Sequence, residues 1–142
     1  MQLFRIRCCL LQLLLLFSMA ANTAEASTTG HEGDQGALLA LKAKISSHSG
    51  VLASWNQITS YCSWEGVICG TRHQQRVVAL DLVFQGLAGT ISPAIGNLTF
   101  LRLLNLSFNT LHGEIPPSIG SLRRLQRIDL NTNNLTGVTK QH

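Results

Sequence analysis

The chain has 142 residues, 13% of them charged, and a formal net charge of +4. Sparse charge and abundant leucine exclude a disordered polyelectrolyte, and the length fits one domain or a piece of one. Nucleic-acid binding is not indicated either: Arg5 and Arg7 lie in an N-terminal targeting segment, and the other basic residues are scattered apart from Arg123, Arg124 and Arg127, which no recognition motif accompanies.

Residues 1–26 read as a cleavable signal peptide. Arg5 and Arg7 precede an apolar run from Cys8 to Phe17, broken by Gln12, and the small residues Ser18, Ala20, Ala21, Ala24 and Ala26 follow. Cleavage is expected after Ala26, with Ala21 and Ala24 as alternatives. The run is shorter than the roughly 20 apolar residues of a membrane anchor. No second apolar stretch follows, so no membrane span is expected in this chain. A signal peptide routes the chain to the secretory pathway, where disulfides and N-glycans become available.

Residues 27–33 are small and polar and read as a disordered lead-in, ahead of a cap over 34–76. Asp34 is placed to N-cap a helix carrying Ala37, Leu38, Leu41 and Ile45 at helical spacing, ended by Ser46 to Gly50. Val51, Leu52 and Trp55 should fold against it. Cys62 and Cys69 are the only cysteines expected in the mature chain, and an oxidising compartment predicts that they pair. The loop is short, so the bond would contribute about 2–3 kcal/mol. The alternative, a zinc site, needs two more ligands, with His48 and His73 as remote candidates. Val67 and Ile68 read as a strand laid beside Val77 to Leu80, covering an otherwise open edge.

From Val77 to Gly137 the chain repeats itself every 24 residues. Val77, Leu101 and Leu125 align, as do Leu80, Leu104 and Ile128, then Leu82, Leu106 and Leu130. Gln85, Asn109 and Asn133 follow, then Leu87, Leu111 and Leu135, then Gly89, Gly113 and Gly137. Ile91, Pro93, Ile95-Gly96 and Leu98 match Ile115, Pro117, Ile119-Gly120 and Leu122. Units of this length that cannot bury their own leucines must stack as a solenoid. The middle copy fits the leucine-rich-repeat template at every position, and the first departs from it at Gln85. Alternation puts Leu104 and Leu106 on one strand face and Asn105 on the other. Asn109 can pair backbone groups in the turn that leaves the strand, and Gly113 permits a conformation closed to other residues. The fold class is therefore α/β, a short leucine-rich-repeat solenoid with a helical, disulfide-bonded N-terminal cap and no C-terminal cap. Its repeats are 77–100 and 101–124, and 125–142 hold a partial third repeat and tail.

Taken together, four segments resemble a known family. They are Asp34-x-x-Ala37-Leu38-Leu39-x-Leu41-Lys42, Leu52-Ala53-Ser54-Trp55-Asn56, Cys62-x-Trp64-x-Gly66-Val67-x-Cys69 and Arg76-Val77-Val78-x-Leu80-Asp81-Leu82. They are similar to the plant-type leucine-rich-repeat N-terminal cap, and Leu111-x-Gly113-x-Ile115-Pro116-x-x-Ile119-Gly120-x-Leu122 resembles the plant-specific repeat. The closest likeness is to the N-terminal end of plant leucine-rich-repeat receptor-like kinases. That resemblance implies an extracellular module that binds a protein or peptide ligand, with a receptor-kinase co-receptor as a further partner. Its place is the apoplast, or the outer face of the plasma membrane as part of a longer receptor. The alternative is a small secreted repeat protein acting as co-receptor, decoy or enzyme inhibitor.

The sequence carries no phosphate loop, metal-ligand spacing or triad context, so no catalytic residue, cofactor or metal is expected. A kinase would have to follow in a longer product. A contact surface would use the outward strand positions: Asp81, Val83 and Phe84, then Asn105, Ser107 and Phe108, then Arg127, Asp129, Asn131 and Thr132. Phe84 and Phe108 should be adjacent, and space-filling beside the strand turn is favoured over an aromatic contact patch. Asn97, Asn105 and Asn134 begin Asn-x-Ser/Thr sequons and are candidate glycosylation sites, although the repeat template by itself generates such triplets. The leucines of the partial third repeat lack a covering unit, which predicts a marginal, association-prone product.

Overall fold

The computed structural model describes residues 33–73 and 75–137. The residues read from the sequence as a signal peptide, most of those read as a lead-in, and the tail beyond residue 137 lie outside them. Eight strands form two sheets of the same plan. Each begins with one antiparallel strand from the cap and continues with three parallel strands, one per repeat. One sheet runs β2 (Val67–Cys69), β3 (Val77–Asp81), β5 (Leu103–Asn105) and β7 (Arg127–Asp129). The other runs β1 (Ile45–Ser47), β4 (Leu87–Gly89), β6 (Thr110–Glu114) and β8 (Asn134–Thr136). The return segments contain 3-10 turns at Pro93–Asn97 and Pro117–Ser121. Proline suits the first position of such a turn, where its missing N–H has no partner to lose. Ser92, where the next repeat has Pro116, caps its turn instead by accepting from the Ala94 N–H.

The helix α1 covers residues 33–42, which is shorter than its apolar spacing predicts. Ile45 leaves it for β1, pairing with Gly89. Gly89 has φ +118°, and a Cβ there would collide with the Lys44 carbonyl. The bare glycine lets β1 close on the first repeat, and that pairing overrides the helical pattern. Asp34 likewise does not act as a simple N-cap. It lies within the helical stretch, fully buried, and its carboxylate accepts Nε and Nη2 of Arg76 at 3.0 and 2.7 Å and the Val77 N–H at 2.8 Å. One buried carboxylate thus fastens the cap helix to the first strand of the solenoid.

The cap core is aromatic. Trp55 and Trp64 stack at 5.5 Å between ring centroids, and Tyr61 meets Trp64 edge-on at 6.3 Å. Buried indoles need partners for their N–H. Trp55 donates to the Glu65 carbonyl at 2.9 Å and Trp64 to the Thr59 hydroxyl at 3.2 Å. A Cys62–Cys69 disulfide ties the turn at Tyr61–Ser63 to β2, and Ser60 caps that turn.

The repeat core is a leucine stack. Leu80, Leu82, Leu101 and Leu104 have no exposed surface. Asn109 is buried beside them and makes the bonds its template position calls for. Its Oδ1 accepts from the Gln85 and Leu87 N–H groups, and its Nδ2 donates to the carbonyls of Leu82, Leu106 and Ser107. Asn133 repeats the pattern one unit on, accepting from Leu111 and donating to Leu106 and Leu130. Gln85 breaks the template because its neighbour is the cap. Its Oε1 accepts from the Ser49 hydroxyl and its carbonyl from the Ser47 hydroxyl. Gly113 has φ +83°, the left-handed conformation expected of it.

Candidate functional site

Strand register lays out the open face of the β2–β3–β5–β7 sheet in rows. Ile68, Ala79, Leu103 and Arg127 are paired neighbours across the four strands. Asp81, Asn105 and Asp129 form the next row. Beyond the strand ends, Phe84 and Phe108 stack at 4.6 Å with an interplanar angle of 8°. Both are exposed, Phe84 by 71% and Phe108 by 45%. Phe84, Phe108 and Thr132 share a template position and a left-handed backbone, with φ of 56°, 56° and 55°. Non-glycine residues adopt this conformation only where the surroundings hold them there. The Phe84 and Phe108 N–H groups are held by the carbonyls of Ser107 and Asn131.

The sequence-derived contact residues divide. Asp81, Phe84, Phe108, Arg127, Asn131 and Thr132 are exposed, and Val83, Asn105 and Asp129 are half-buried. Ser107 is a correction: it is 2% exposed and so does not lie open on the strand face. Its hydroxyl donates to the Asn105 Oδ1 at 2.7 Å, and the same oxygen accepts the Ser107 N–H at 3.1 Å. A small residue after the last strand leucine thus folds back under the asparagine side chain. Asp129 makes the matching turn by accepting the Asn131 N–H. Of the sequons, Asn97 is exposed at the end of its 3-10 turn and Asn134 is exposed on β8, whereas Asn105 is half-buried in the strand row.

Two groups were missed from the sequence. Ala79 and Leu103, with Ile68 beside them, belong to the open face. Counting back two residues along each strand from Asp81 and Asn105 would have found the two repeat positions. The second group surrounds Phe100. The Arg76 and Arg124 guanidinium carbons lie 4.4 and 4.0 Å from its ring centroid, and the His73 ring lies 5.0 Å away. The template places Arg76, Phe100 and Arg124 just ahead of the first leucine of successive units, so a column was readable. Its cation–π character was not.

Cys62 and Cys69 are consumed in their disulfide, and His48 is spent on the Gly86 carbonyl. Among the described residues no group of His, Cys, Asp and Glu could hold a metal ion, and no helix is long and apolar enough to cross a membrane.

Comparison with known proteins follows the same division into cap and repeats. Residues 31–70 match the leucine rich repeat N-terminal domain, and residues 100–122 match the Leucine Rich Repeat. The LRR receptor-like serine/threonine-protein kinase EFR of Arabidopsis thaliana is 51% identical over 77 residues, covering 53% of this chain and 7% of that protein. The chain therefore spans less than a tenth of that relative's length. The BIR2 ectodomain of Arabidopsis thaliana superposes with a TM-score of 0.66 at 34% identity, over 72% of this chain and 56% of that one. The Arabidopsis receptor kinase HAESA, solved with the peptide hormone IDA and the co-receptor SERK1, superposes with a TM-score of 0.64 at 28% identity, over 72% of this chain and 17% of that one. The chain thus carries a match to the leucine rich repeat N-terminal domain and to the Leucine Rich Repeat, and is similar in sequence and fold to the N-terminal part of plant receptor-kinase ectodomains.

Proposed function

We propose that the chain is an extracellular recognition module, the N-terminal part of a plant leucine-rich-repeat receptor-like kinase ectodomain that serves ligand perception in defence signalling. The observation that carries this reading is the open sheet face, where the apolar Ile68, Ala79 and Leu103, the polar row of Asp81, Asn105 and Asp129, and an exposed aromatic pair lie side by side. Binding groups fixed on strands lose little entropy on engagement. The HAESA relative, solved with a peptide hormone and a co-receptor, supports a peptide or protein as ligand and a second receptor as partner. The chain acts by binding. The matched part of the kinase relatives is their repeat-containing portion, and a kinase would belong to a longer product. The site of action is the apoplast or the outer face of the plasma membrane.

The test is secretion followed by capture. The full chain, tagged and expressed in plant cells, is expected in apoplastic fluid, where proximity labelling should mark receptor ectodomains. Replacing Asp81 and Asp129 together by arginine should cut that labelling by about tenfold, the equivalent of 1.4 kcal/mol. Asn97→Gln, on the return side, should leave it unchanged. Retention inside the cell, or labelling indifferent to the strand-face change, would reject the proposal.

A further inference from the structure

The leading edge of the β2–β3–β5–β7 sheet, where the strands begin, carries unmatched positive charge. Arg72, Arg102, Arg123, Arg124 and Arg127 are all exposed. The single ion pair among the described residues is Arg76 with Asp34, so none of the five has a carboxylate partner there. Register brings several of them together. Leu103 pairs with Arg127, and the Arg102 carbonyl accepts the N–H groups of Gln126 and Arg127. Phe100 brings in His73 and Arg124.

Arg76 and Arg124 both lie against Phe100, but their charges have different fates. The Arg76 guanidinium is spent on Asp34 and on the Thr99 hydroxyl. The Arg124 guanidinium makes no hydrogen bond among the described residues, while the ring holds it by cation–π attraction. The ring contact takes up none of the N–H donors, which are the groups that bind a carboxylate in bidentate fashion. A long side chain that is already oriented loses less rotamer entropy on binding.

The geometry points to this edge as a docking site for the acidic segment of a peptide. Carboxylates would lie against Arg123 and Arg124, and an adjoining apolar side chain would rest on Ala79 and Leu103. The apolar row favours a peptide over an anionic polysaccharide, which has no side chain to place there. The opposite ends of the same strands carry Asp81 and Asp129, so the face is polarised and fixes the direction in which an acidic-to-basic segment lies. The inference rests on the recognition reading above and adds a ligand class to it.

The test is equilibrium binding of the secreted full chain to a labelled oligoglutamate peptide, with oligolysine and polygalacturonate as comparison probes. Oligoglutamate is expected to bind at low ionic strength, to weaken steeply with added salt, and to lose about tenfold in affinity when Arg123 and Arg124 are both changed to glutamine. Phe100→Leu keeps every charge but removes the platform, and should lose severalfold. Arg123→Gln alone touches no ring and tests the charge without risk to the fold. Absence of oligoglutamate binding, affinity unchanged in the double variant, or preference for polygalacturonate would each overturn the proposal. Apoplastic capture that persists without oligoglutamate binding would remove this edge and leave the recognition reading standing.

Discussion

Leu80 and Ile128 hold the same template position two repeats apart, yet Leu80 is fully buried and Ile128 is 45% exposed. The difference lies in what stands beyond each. On one side of Leu80 the cap lays β2 antiparallel on β3 and packs the Trp55, Tyr61 and Trp64 cluster beneath. On the other side lies the second repeat. Ile128 has a repeat on one side, and among the described residues nothing covers the other. A solenoid leucine is therefore buried by its neighbours rather than by its own unit. The cap must be a different kind of structure, because it has to close an edge rather than extend one. It uses aromatic bulk, a disulfide and a buried ion pair where the repeats use leucine and asparagine ladders.

The largest effect that would sharpen this contrast is at the joint between the two regions. Asp34→Ala strips Arg76 of its carboxylate and leaves the buried Val77 N–H without an acceptor. A cost of about 3 kcal/mol or more is expected in chemical denaturation. A change below about 1 kcal/mol would show that the cap and repeats hold together without this contact.

Next in size is the pair that defines the comparison. Leu104→Ala, in the covered second repeat, should cost about 2–5 kcal/mol. Ile128→Ala should cost about 1 kcal/mol, because half of its surface is already in water. Equal losses would mean that another surface covers Ile128 in solution, and size-exclusion chromatography would then show association.

The smallest effect concerns alkaline stability of the cap. Burial raises the Tyr61 phenol above its ordinary value of 10.0, the Asp34 carboxylate adds to the rise, and Arg76 opposes it. The folded state therefore holds this proton more tightly than the unfolded chain. The resulting stability is fully present below pH about 10 and is lost as pH rises through the folded value. Arg76 is also raised, chiefly by its hydrogen bond to Asp34, so its contribution is lost in the same direction at higher pH still. Tyr61→Phe forfeits the bond to the Gln75 carbonyl, about 1 kcal/mol at neutral pH, and should flatten the decline above pH 10. An alkaline decline as steep in the variant as in the parent chain would assign it elsewhere.

The repeat register, the leucine stack, the Asn109 turn and the strand from the cap beside Val77 were all legible in the residues. Each depends on period and side-chain chemistry, which are local properties and recur in every unit. The row of Asp81, Asn105 and Asp129 was legible for the same reason. The second sheet was not. Ile45 fits a helical stripe as well as a strand, and only the close approach permitted by Gly89 selects the strand. Ser107 was misplaced because alternation assigns it to the open face, whereas a hydrogen bond to Asn105 two residues back folds it under.

Composition and periodicity by themselves determined that this chain is a capped stack of leucine-rich units, since a leucine every few residues in a fixed frame has few other ways to leave water. Tertiary structure alone decided which charges are free. Arg76 and Arg124 are the same residue type at equivalent template positions, and the residues around them do not distinguish their roles in the linear chain. Folding brings the Asp34 carboxylate from the cap to one, and to the other only the Phe100 ring, with no carboxylate among the described residues. Pairing across such a separation depends on where the helix docks, which no local pattern encodes.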